Sequence, residues 1–168
     1  MLVAATSVAA EGTRCADSTV LSQLITCRQN AEPQRAARCA TPRSRGMVAP
    51  VEGQQILKFG QPTEYGATSR GLVFNAAGGA FVRAPVSGVI IFAGAFRSYG
   101  DLLVVDACNV VAVVAGLLSL DVAEGQAVSA GDALATVREP KSGEPVIYFE
   151  VQDSGETVDP ATFIPPAN

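Results

Sequence analysis

The chain has 168 residues and a mass of 17.3 kDa, enough for one domain with an appendage and for a buried core. Hydrophobic residues are 48% and charged residues 17%, which excludes a disordered tail, and a net charge of −4 argues against a nucleic-acid surface. No apolar run approaches the roughly twenty residues of a spanning helix. There is no histidine, so a histidine base and an imidazole-built zinc site are both excluded.

Residues 1–10 read Met-Leu-Val-Ala-Ala-Thr-Ser-Val-Ala-Ala and resemble the end of a secretory apolar region, with small residues suited to cleavage. Residues 1–46 hold six of the ten arginines and three of the four cysteines. Asp17, Ser18 and Thr19 precede Val20, Leu21, Leu24 and Ile25, a cap signature that predicts a helix over about 18–29. A second helix is expected from Gln34 to Cys39, then a linker at Arg43-Ser44-Arg45-Gly46. Cys15, Cys27 and Cys39 have eleven residues between neighbours, and Cys108 stands apart. No pair has zinc-knuckle or Cys-x-x-Cys spacing. The even count fits disulfides in an oxidising compartment; free buried thiols are the alternative. The sequence leaves the pairing open, with Cys15–Cys27 or Cys27–Cys39 preferred and the remaining cysteine reaching Cys108.

From Met47 the texture changes to short β-rich runs separated by Gly, Pro and Asp turns, the pattern of a mainly β sandwich or roll. Strands are expected at Leu72–Asn75, Ala80–Arg83, Gly88–Ala95, Leu102–Ala107, Val110–Ala115, Ala133–Val137 and Val146–Gln152, with a hairpin turn over Asp106–Asn109. The two runs flanking that turn are apolar enough to be buried on both faces. Ala49-Pro50-Val51-Glu52-Gly53 is echoed by Ala84-Pro85-Val86-Ser87-Gly88, which reads as recurring turn chemistry. Val122 to Leu134 has the form V-x-x-G-x-x-V-x-x-G-x-x-L, with glycines for tight turns and apolar residues for one core. Biotinyl and lipoyl carrier domains use this phrase. Neither Lys58 nor Lys141 has the flanks of a modified lysine, so the carrier reading is a remote alternative and no cofactor is expected.

Several further phrases occur in a fixed order: Phe59-Gly60, Arg70-Gly71-Leu72-Val73-Phe74, Tyr99-Gly100-Asp101, Ile147-Tyr148-Phe149-Glu150-Val151 and Val158-Asp159-Pro160. Together they resemble the lysostaphin-type (LytM) metallopeptidase domain over about 47–164. The resemblance implies a LytM-like, duplicated-hybrid-motif β fold after a short helical segment at 1–46, with a tail at 165–168.

The family's zinc ligands and catalytic histidines are missing from the matching positions. The first ligand segment holds Ser69 and Val73, the catalytic histidine falls at about Gly116, and the second segment reads Val146-Ile147-Tyr148. No metal and no catalytic residue are therefore expected. The EnvC-type murein hydrolase activators share this loss. Likeness to them implies that the vacated groove binds a cell-wall amidase and displaces its inhibitory helix, in the periplasm or envelope of a Gram-negative bacterium during cell-wall remodelling or division. Arg70, Val73, Tyr99 and Tyr148 match activator groove positions, whereas Val114 and Gln152 stand where an activator tyrosine and arginine would be. The expected groove is thus Arg70, Val73, Tyr99, Val114, Tyr148 and Gln152. Glu150 reads as a strand residue pairing with a nearby donor. A peptidoglycan-binding scaffold using the same groove is the second reading.

Overall fold

A β-strand alternates its side chains between two faces, so the register of pairing decides which residues enter a core. The computed structural model describes residues 15, 18, 20–40 and 46–165. The leader-like stretch at 1–10, Arg43–Arg45 of the linker and the last three tail residues lie outside them. The chain divides into two compact units, Met1–Pro42 and Arg43–Asn168.

In the first unit a helix spans Leu21–Ala31 and buries Leu21, Leu24 and Ile25, which share one helical face. It begins later than the cap signature suggests, after an extended Val20 that gives it no side-chain cap. It ends where Glu32, the residue before Pro33, turns extended. One further turn, Arg35–Arg38, follows. Arg38 donates to both Glu32 carboxylate oxygens, at 2.9 and 2.7 Å. Cys15 and Cys27 form a disulfide, and no described cysteine is a free thiol.

Among its described residues the second unit has the strands β1 (Gln54–Leu57), β2 (Leu72–Asn75), β3 (Phe81–Arg83), β4 (Gly88–Ala95), β5 (Asp101–Ala107), β6 (Val110–Ala115), β7 (Leu117–Leu120), β8 (Ala127–Val128), β9 (Ala133–Val137), β10 (Val146–Asp153) and β11 (Glu156–Val158). The larger sheet runs β1-β2-β10-β6-β5-β4-β8, with β11 paired to β10; the smaller runs β3-β9-β7. Every pairing is antiparallel. The core lies between the sheets. Leu72, Phe149, Val114 and Leu103 stand in cross-strand register on the larger sheet and meet Val82, Leu117, Leu134 and Val137 of the smaller one. Residues 102–107 and 110–115 are buried throughout, so both runs are covered on both faces. Asp106 Oδ1 accepts from the Cys108 amide in the turn between them, where Cys108 has φ 77°.

The V-x-x-G phrase behaves as its spacing predicts. Gly125 and Gly131 take φ of 89° and 92°, while Val128 and Leu134 enter the core. The Ala-Pro-Val echo is more than recurring turn chemistry. The residue before each copy donates to the proline of the other, Val48 N–H to Pro85 C=O at 2.9 Å and Arg83 N–H to Pro50 C=O at 2.7 Å.

Candidate functional site

One cross-strand row on the far side of the larger sheet sets up the site. Tyr148 on β10 lies opposite Val73 on β2 and opposite Ala115 on β6. These three side chains therefore share the face turned away from the core, and with Val146 they line an open cleft of about 490 Å³. The loop between β1 and β2 forms one rim and contributes Thr63, Thr68, Ser69 and Arg70. Backbone bonds close that loop on itself, Ser69 N–H to Gln61 C=O and Gly60 N–H to Ser69 C=O. Ser98 and Tyr99 line the cleft from the 3₁₀ turn Arg97–Tyr99.

The Tyr99 and Tyr148 rings lie 6.0 Å apart, tilted by 48°. Behind Tyr99 stands Phe96 at 6.3 Å, and behind that Phe92 at 6.0 Å, edge-on. Each such contact contributes about 0.5–1.5 kcal/mol beyond area burial. The Tyr148 hydroxyl donates to Glu150 Oε2 at 2.6 Å. Burial, reinforced by the Glu150 carboxylate, pushes the Tyr148 phenol well above its ordinary range. Tyr99 shifts the same way, first through burial and then through Glu150, against a downward pull from Arg70. Both rings are thus neutral phenols at ordinary pH, and Arg70 is the charged group of the rim.

Ser69, Val73, Gly116, Val146 and Tyr148, which the family resemblance implies as lost ligand and catalytic positions, all line this cleft, as do Arg70 and Tyr99. Arg70 is exposed and donates to Thr157 Oγ1 at 2.6 Å. Two expected groove residues are elsewhere. Val114 is 1% exposed and belongs to the core, because it pairs with core-facing Phe149 while Ala115 pairs with Tyr148. Gln152 is 4% exposed and does not line the cleft; its side chain donates to Glu150 Oε1 at 3.2 Å. Glu150 does pair with nearby donors, and one of them is the cleft tyrosine. Leu57, Thr63, Thr68, Ser98 and Ala115 were not anticipated as lining. The Tyr148–Ala115 register needed a structure to find, whereas the threonines flank a loop whose length alone hints at a rim.

The residues where the family resemblance implies metal ligands do not fit a metal. Zinc takes three or four converging N, S or O donors. Val73 and Val146 have none, and Gly116 has no side chain. The Ser69 hydroxyl is committed to the Gly71 carbonyl at 2.8 Å, and the Tyr148 hydroxyl to Glu150. Among the described residues no group of three His, Cys, Asp or Glu could hold a metal ion, and no helix is long and apolar enough to cross a membrane.

The two-sheet LytM-type fold agrees with comparison to known proteins. Residues 67–160 match peptidase family M23, and the chain belongs to that family. It is 29% identical over 118 residues to the murein hydrolase activator NlpD of Escherichia coli, covering 69% of this chain and 30% of that protein. It is 29% identical over 117 residues to the murein hydrolase activator EnvC of the same organism, covering 68% of this chain and 28% of that one. The match thus spans less than a third of either relative. The structure of lysostaphin, an antimicrobial peptidase of Staphylococcus simulans, superposes with a TM-score of 0.63 at 19% identity, over 75% of this chain and 58% of that one. That likeness is one of fold.

Proposed function

We propose that this chain is a non-catalytic LytM-domain protein that activates N-acetylmuramoyl-L-alanine amidases of the bacterial cell wall by binding them through its cleft. The observation that carries the reading is the convergence of Ser69, Val73, Gly116, Val146 and Tyr148 in one cleft, where a peptidase of this fold would keep ligands and bases. An apolar slot with two tyrosines and a rim arginine suits an amphipathic helix laid in a groove, and Tyr and Arg are common anchors of such interfaces. Similarity to NlpD and EnvC, both named murein hydrolase activators, supports the same role. The cell envelope of a Gram-negative bacterium, on its periplasmic side, is the compartment this role requires, and oxidised cysteines accord with it.

Purified protein added to an amidase on labelled murein sacculi should speed release of label while releasing none by itself. A second reading, a peptidoglycan-binding scaffold, draws on the hydroxyls of Thr63, Thr68 and Ser98 in the same cleft. It predicts sedimentation with sacculi and no effect on the amidase.

A further inference from the structure

The outward face of β10 carries Tyr148, Glu150 and Gln152 in succession, two residues apart and so on one side of the sheet. Glu150 is 2% exposed, and both its oxygens are occupied, Oε2 by the Tyr148 hydroxyl at 2.6 Å and Oε1 by Gln152 Nε2 at 3.2 Å. Its cross-strand neighbour on β6 is Val113, fully buried and without a polar side-chain atom. Removing a carboxylate from water costs several kcal/mol, and an apolar residue beside Val113 would avoid that cost. What the carboxylate adds at this place is a hold on Tyr148. The two cleft tyrosines differ in this respect: the Tyr148 hydroxyl is committed, whereas the Tyr99 hydroxyl has no hydrogen-bond partner among the described residues, its residue being held by the backbone N–H bond to the Phe96 carbonyl at 3.1 Å.

The row continues past Gln152. Thr157 on β11 lies opposite Gln152 and receives Arg70 Nη2 at 2.6 Å. Rim arginine and cleft tyrosine are thus tied to neighbouring points of one polar line on β10 and β11.

We infer that Glu150 is a positioning residue: it fixes the Tyr148 hydroxyl, and Gln152 fixes Glu150 from the other side, so that the Tyr148 ring stands against Tyr99 and Val73 as a preset wall of the cleft. A wall held before binding spares an entering segment the entropy of ordering that side chain. The consequence for binding rests on the amidase reading above; the hold on Tyr148 does not.

The experiment compares Glu150→Gln, Tyr148→Phe and the double variant, with Glu150→Leu as a disruptive control. The chain has no tryptophan and three tyrosines, so emission of the protein alone comes from Tyr65, Tyr99 and Tyr148, and comparison with Tyr148→Phe isolates the part due to Tyr148. A phenol bonded to a carboxylate emits weakly. Glu150→Gln should therefore raise emission, and the rise should vanish in the Tyr148→Phe background. Affinity for an amidase stimulated by the wild type should fall about threefold to tenfold in Glu150→Gln, with no further loss when that change is added to Tyr148→Phe. Unchanged emission in folded Glu150→Gln overturns the inference. So does a loss of affinity that is equally large with and without the Tyr148 hydroxyl, since that marks a merely structural carboxylate. If no amidase binds the wild type, the proposed function fails, and the emission series alone decides whether Glu150 holds Tyr148.

Discussion

Gly116 stands directly against the carbonyl oxygen of Val146, in the left-handed region at φ 99°. A Cβ at this position would meet that backbone oxygen. The cleft is therefore built around the absence of a side chain at a place where the family resemblance puts a catalytic histidine. Gly116→Ala should cost roughly 1–3 kcal/mol from backbone conformation alone, before any displacement of β10 is counted. Denaturant unfolding measures it, and a loss below about 0.5 kcal/mol would show that the strand ends there are free to move apart.

Tyr99→Ala and Tyr148→Ala should each weaken amidase binding by roughly 2 kcal/mol or more, the threshold of an interface anchor. Their melting temperatures should fall less than that of a core truncation such as Phe149→Ala, because both tyrosines are only partly buried and line the cleft. Calorimetry and titration on the same proteins check the order of the two effects.

Arg70→Glu should act on rate. Arg70 is exposed at the rim, so reversing its charge should slow association, with the difference shrinking as salt rises. Stopped-flow mixing at two ionic strengths reads this directly.

Raising pH should destabilise the fold through Tyr148. Its phenol is held above the ordinary 10.0 in the folded chain and returns there on unfolding. Above pH 10.0 the unfolded chain therefore gives up a proton that the folded chain keeps. The Tyr148 contribution is present in full below that pH and declines as pH rises. Melting curves between pH 8 and 11 should show a shallower decline for Tyr148→Phe.

The long strands were legible because their signals are local. Gly88–Ala95, Val110–Ala115 and Ala133–Val137 are bounded by Pro, Gly or Asp turns and are rich in small apolar or β-branched residues. The strands β1, β7, β8 and β11 were not legible; β7 has two of its four residues exposed. Gln54-Gln55, Ala127-Val128 and Glu156-Thr157 are short and largely polar or exposed, and they are strands because a neighbour offers an edge. Arg70, Val73, Tyr99 and Tyr148, which the motifs group together, all line the cleft. At Val114 motif matching was one residue out of phase, and in a strand one residue exchanges cleft for core. Gln152 shares the face of Tyr148, but Glu150 lies between them, and only side-chain geometry shows it.

The most direct test of the account is amidase activity on labelled sacculi, measured with and without the purified chain and with the Tyr148→Ala variant. The account predicts that the chain alone releases nothing, that wild type accelerates the amidase, and that folded Tyr148→Ala loses most of that acceleration. Label released by the chain alone, or full stimulation by folded Tyr148→Ala, would contradict it.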